Sequence, residues 1–154
     1  MIMSGRQLGK TYAVMTEIQA HIVAGIPPSE ILVVLPQTRQ IHYWTRAWEA
    51  RFGPSIRIPV IASFSSAIPR AGNRMFRKMY IEDVDLYDDG IYERNLENIF
   101  YSLRSPFGDE EVVFTSSLLA VNQRTHSVMS DAAGILRKLH AERSSEPYQW
   151  PQLT

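Results

Sequence analysis

The sequence predicts an α/β domain, a mostly parallel sheet with helices on both faces. Three observations predict it. Apolar runs and helical repeats alternate along the chain, the order that parallel strands joined by crossover helices require. The clearest run, "ILVVL" at 31–35, is continuous and does not alternate, as expected for a strand buried on both faces. Finally, the 154 residues contain no linker, internal repeat or low-complexity stretch. One domain is therefore expected over residues 1–143, followed by a proline-interrupted tail, 144–154. That tail is either loosely packed or used to contact a partner.

The elements follow in order. "TYAVMTEIQAHIVAG" reads as a helix, because Val14, Ile18 and Ile22 recur at helical spacing and Gly25 suits a C-cap. "IPPSE" is a turn, and "ILVVL" is the buried strand. In "PQTRQIHYWTRAWEARFG", Ile41, Trp44, Trp48 and Phe52 share one helical face. Thr38 can cap this helix and Gly53-Pro54 ends it. "IRIPVIAS" is a strand, placed at a sheet edge by Pro59. Residues 63–76 look irregular, and "KMYIEDV" is another buried strand, ending in acids. "GIYERNLENIFYSLR" aligns Tyr92, Leu96, Ile99 and Leu103 on one helical face. "EEVVFTSS" is a strand, and "SVMSDAAGILRKLHAER" is a last helix with Val128, Ala132, Ile135 and Leu139 aligned.

Composition narrows the function classes. Hydrophobic residues make up 45% and charged residues 21%, which suits a soluble globular protein, and the lack of cysteine fits a reducing compartment such as the cytoplasm. Lys plus Arg (16) balance Asp plus Glu (16), so no global field draws the chain to nucleic acid. The absence of cysteine excludes disulfides, thiolate metal sites and cysteine nucleophiles. No apolar run is long enough to span a bilayer, and no secretory signal is visible. His21, His42, His126 and His140 are scattered without ligand spacing, so the sequence argues for no zinc site. "DVDLYDDG" lacks the calcium-loop continuation, since Leu96 stands where the glutamate belongs. No G-x-S-x-G elbow and no G-x-G-x-x-G fingerprint is present.

One motif carries chemistry. Ser4-Gly5-Arg6-Gln7-Leu8-Gly9-Lys10-Thr11 matches the phosphate-loop pattern G-x-x-x-x-G-K-[ST] except that Ser4 takes the first glycine position. A short strand turning into a helix aims free backbone N–H groups and the helix dipole at one spot. Gly9 lets the backbone approach phosphate oxygens, Lys10 reaches the β- and γ-phosphates, and Thr11 offers a hydroxyl to Mg²⁺. The bland alternative is a chance Gly-Lys-Thr at a helix start.

A phosphate loop needs carboxylates at a neighbouring strand end to hold the metal and align water. In "KMYIEDVD", Glu82 takes the metal side by position and Asp83 the base side, the reverse of the common Asp-Glu order. The alternative is an acidic loop after a buried strand. Thr115, Ser116 and Ser117 in "VVFTSS" end a strand and could sense the γ-phosphate by hydrogen bonding. Together these features predict a P-loop NTPase (ASCE-like) core using ATP and Mg²⁺.

"SGRQLGKT", "RAGNRMFRKMYIED" and "VVFTSS" resemble the ATPase domain of phage large terminases, the DNA-packaging motors. The resemblance covers about residues 1–120. It rests on Arg6-Gln7 inside the loop, on Arg70, Gly72 and Asn73 before the acidic strand, and on Thr115 to Ser117. It implies that the 111–115 strand lies between the phosphate-loop strand and the acidic strand. It implies ATP hydrolysis acting on double-stranded DNA, with other phage proteins or further copies of the chain as partners, in a host cytoplasm. It also gives Arg6 the role of an internal arginine stabilising γ-phosphate charge, against the alternative of a solvated loop residue. The departures are the reversed acids, the three residues before the loop, where terminases carry an adenine-holding segment, and a length that leaves no room for their nuclease domain.

Arg70, Arg74, Arg77 and Lys78, with Met75 and Phe76 interleaved, form a basic cluster suited either to a nucleic-acid backbone or to a solvated loop. Arg39, Arg46 and Arg51 raise the same choice, while Trp44 and Trp48 read as core. Two other classes stay open. A non-enzymatic nucleotide-binding or adaptor protein on a degenerate phosphate-loop fold is one. A small-molecule kinase is the other, weakened because Arg124 alone could serve a lid.

Overall fold

The computed structural model describes residues 2–3, 7–64, 76–83, 92–103, 111–116 and 123–144. The strands are β1 (Ile2–Met3), β2 (Ile31–Leu35), β3 (Val60–Ser63), β4 (Lys78–Ile81) and β5 (Glu111–Ser116). The helices are α1 (Gln7–Val23), α2 (Thr38–Phe52), α3 (Tyr92–Phe100) and α4 (Gln123–Ser144). The sheet order is β1-β5-β4-β2-β3 and every pairing is parallel. β5 thus lies between β1 and β4, the position the terminase resemblance implies.

Burial on both sheet faces explains the continuous apolar runs. Successive side chains of a strand point to opposite faces, so each run feeds two cores. Leu32, Val34, Met79, Ile81 and Phe114 face one core with Leu96, Ile99 and Phe100 of α3 and Ala132 and Leu139 of α4. Ile31, Val33, Leu35 and Tyr80 face the other, with Val14, Met15 and Ile18 of α1 and Trp44 and Trp48 of α2. Trp44 and Trp48 stack with centroids 5.5 Å apart, and both are buried, as the helical spacing predicts.

Several boundaries differ from expectation. α1 begins at Gln7, four residues before the expected start, so Gln7 to Thr11 are already helical. α4 runs on to Ser144, one residue into the expected tail; residues 145–154 lie outside the described residues. α3 stops at Phe100, and Leu103 bridges to Phe76 beyond the helix. Thr38 does not cap α2. The N-cap is Gln37, whose backbone N–H donates to Gln40 Oε1 at 2.9 Å, while Thr38 Oγ1 lies 3.2 Å from Ser63 Oγ of β3. Pro59 precedes β3 at the sheet edge, where its missing N–H removes no ladder bond.

Gly25 follows α1 with φ 110°, and Gly53 ends α2 at φ 61°, ψ −154°. The second conformation is close to glycine-only, although a Cβ at Gly53 would meet nothing within 4 Å. Gly53→Ala is therefore expected to lower stability by about 1–3 kcal/mol through backbone strain alone. An unchanged urea midpoint would contradict this. Among the described residues, no helix is long and apolar enough to cross a membrane.

Candidate functional site

In a parallel sheet, all carboxyl ends share one edge, where ligands of open α/β folds bind. Lys10 of α1, Glu82 and Asp83 after β4, and Thr115 of β5 meet there. Lys10 comes from the first turns of the helix that follows β1, and its side chain is buried (2% exposed). Glu82 (2%) and Asp83 (6%), which follow β4 directly, are buried too.

Each buried charge has a different environment. Lys10 Nζ forms an ion pair with Asp83 Oδ1. Asp83 adopts φ 55°, a left-handed conformation uncommon outside glycine, and its backbone N–H donates to Thr115 Oγ1 at 3.1 Å. Thr115 is wholly buried, and its hydroxyl fixes the backbone of Asp83. Glu82 Oε2 accepts a hydrogen bond from Trp44 Nε1 at 2.9 Å, while its Oε1 is buried without a hydrogen-bond partner. Burial raises the Glu82 pKa to about 7, against the opposing pull of Lys10 and of the Trp44 hydrogen bond. A carboxyl titrating near neutrality suits proton transfer.

Beside these groups lies a cleft of about 250 Å³ lined in part by Thr11, Tyr43, Trp44, Glu82 and Asp83. A larger cleft of about 360 Å³ between α3 and α4 is remote from them, and there Lys138 and Glu97 approach at 4.0 Å.

The expected residues divide as follows. Lys10, Thr11, Glu82, Asp83 and Thr115 come together. Gln7, Leu8 and Gly9 open α1. Ser4, Gly5, Arg6, Arg70 and Arg74 lie outside the described residues, as does Ser117. The structure describes two of the nucleic-acid candidates. Lys78 is buried within β4 and pairs with Glu111 at 3.6 Å, and Arg77 is half-buried and reaches Glu30 at 3.5 Å. Both sit at the amino end of β4, opposite the site, and each is engaged by a carboxylate. Arg51 likewise lies over the Tyr12 ring at 4.8 Å and donates to the Tyr12 carbonyl at 2.8 Å, tying α2 to α1. Sequence reasoning missed Trp44 as a partner of Glu82. The two are 38 residues apart, and only the fold joins them.

No family model matches the chain, and no curated protein shows significant similarity to it.

Proposed function

We propose that the chain is a P-loop NTPase with an ASCE-like core, resembling the terminase motor domain, that binds ATP with Mg²⁺ and hydrolyses it to act on DNA. The observation that carries this is the meeting of Lys10 with Glu82 and Asp83 at the carboxyl edge of a parallel sheet ordered β1-β5-β4. A chance Gly-Lys-Thr has no reason to bury its lysine against two carboxylates from another strand.

The residues fit the implied ligands. Thr11 and the two carboxylates offer the hard oxygen donors that Mg²⁺ prefers, and Glu82 Oε1 is buried and unsatisfied. Bound Mg²⁺ would supply charge neutralisation at the phosphates. Lys10 would exchange Asp83 for phosphate oxygen as its partner. The environments favour exchanging the two acidic roles expected from position. Asp83 belongs on the lysine and metal side, and Glu82, with its pKa near 7, is the better base. Thr115 acts by holding Asp83, and Arg6 remains the candidate for γ-phosphate charge.

One observation favours a second reading, a nucleotide-binding adaptor without turnover. Lys10 is already satisfied by Asp83, so the site is closed before any ligand arrives.

ATP turnover with Mg²⁺, with and without double-stranded DNA, separates the two readings. The expected result is turnover that rises with DNA and is lost in a Glu82→Ala/Asp83→Ala variant. ATP binding without turnover under every condition would favour the adaptor, and absence of ATP binding would end both.

A further inference from the structure

The opposite end of α1 carries a second group of polar side chains that the nucleotide reading leaves unused. Glu17 and His21 stand one turn apart on α1, with Nε2 of His21 3.7 Å from Oε1 of Glu17. Glu111, the first residue of β5, faces them from the sheet, and one ligand atom from each of the three lies within 4.8 Å of the others. Donors around a tetrahedral ion at 2.0–2.1 Å stand roughly 3.4 Å apart. The helical pair is already near that spacing. The Glu111 side chain, 44% exposed, can rotate to supply the remainder.

A separate observation points to a ligand here. Tyr80 sits in the middle of β4 on the α1 side of the sheet and is wholly buried. Its hydroxyl lies near Glu17 and Glu111 yet completes no hydrogen bond of regular geometry. Nε2 of His21 is likewise buried without a hydrogen-bond partner. Buried polar groups are normally fully satisfied, and here Glu17 alone, off regular geometry, serves both the Tyr80 hydroxyl and the His21 nitrogen, which leaves both able to take a further partner.

We infer that Glu17, His21 and Glu111, with the Tyr80 hydroxyl beside them, form a binding site for one divalent transition-metal ion. One imidazole nitrogen with two carboxylates suits Zn²⁺ or its neighbours and not Ca²⁺, which takes oxygen alone. Lys78 is the cross-strand neighbour of Glu111 and lies 3.6 Å from its Oε2. Glu17, Glu111 and Lys78 together carry one net negative charge, which a divalent cation offsets. Bound there, the ion ties the last turns of α1 to β5, at the sheet edge away from Lys10.

The test is calorimetric titration of the EDTA-treated full chain with ZnCl₂, repeated with Co²⁺ to read the visible absorption of an imidazole-containing site. One equivalent is expected to bind. Glu111→Gln and His21→Ala should each weaken binding at least about tenfold, the scale on which metal-site contacts act. Glu111 is exposed and glutamine keeps an oxygen within reach of Lys78, so this is the milder of the two variants, and far-ultraviolet circular dichroism checks the fold of both. Glu82→Gln should bind Zn²⁺ as the parent does. The inference fails if no saturable binding occurs, leaving water as the occupant. It also fails if Glu111→Gln binds unchanged, or if a folded Glu82→Gln is the variant that abolishes binding.

Discussion

Lys10→Met is expected to destabilise the protein by about 3–5 kcal/mol, because it leaves the Asp83 carboxylate buried and unpaired. Asp83→Asn should cost a similar amount by stranding the Lys10 ammonium. The double variant, Lys10→Met/Asp83→Asn, is expected to recover most of the loss, since replacing both members of a buried pair removes the uncompensated charge. Urea denaturation of the four proteins measures the coupling directly. Losses that simply add would show that the pair is not energetically joined. The double variant also separates stability from function. It should fold and yet bind no ATP, because its ammonium is gone. A folded double variant with parental ATP affinity would end the phosphate role of Lys10.

Much of the sheet was legible because its residues carry the physics locally. A run such as Ile31 to Leu35 has no polar position to offer solvent, so it must be covered on both faces. Trp44 and Trp48, four residues apart, could only share a helical face. Element boundaries were less legible, since they depend on contacts made elsewhere. Thr38 is a good capping residue, but its hydroxyl is drawn to Ser63, and Gln37 with Gln40 closes the helix start instead. The side chains that meet at the carboxyl edge could be picked out from Lys10 and Thr11 at a helix start and from acids ending an apolar strand. Their assignment was not legible. Which carboxylate faces Lys10 depends on the left-handed turn at Asp83, and the raised Glu82 pKa depends on burial. Lys78 shows the same limit. A lysine in a basic stretch reads as surface, and only strand pairing reveals that it is buried opposite Glu111.

Glu82→Gln carries the other large effect, and it can be read in two independent ways. Positioned general bases contribute roughly 10²–10⁴-fold, so ATP turnover should fall by about that factor while Mg²⁺-ATP binding persists. Parental turnover in the variant would place the base elsewhere. The second reading needs no ATP. The Glu82 pKa is raised from 4.5 to about 7, chiefly by burial. Between those values the folded state keeps a proton that the unfolded state has lost. The stabilising contribution is therefore complete below the unfolded value and disappears as pH rises through 7, a change on the order of 3 kcal/mol. Glutamine cannot ionise, so Glu82→Gln should flatten stability across this window and match or exceed the parent at pH above 7. Glutamine also keeps a carbonyl oxygen able to accept the Trp44 hydrogen bond. If the slope survives in Glu82→Gln, a group other than Glu82 is responsible. If slope and turnover disappear together, one buried carboxyl accounts for both. The burial that destabilises the ionised fold then also tunes Glu82 for proton transfer near neutrality.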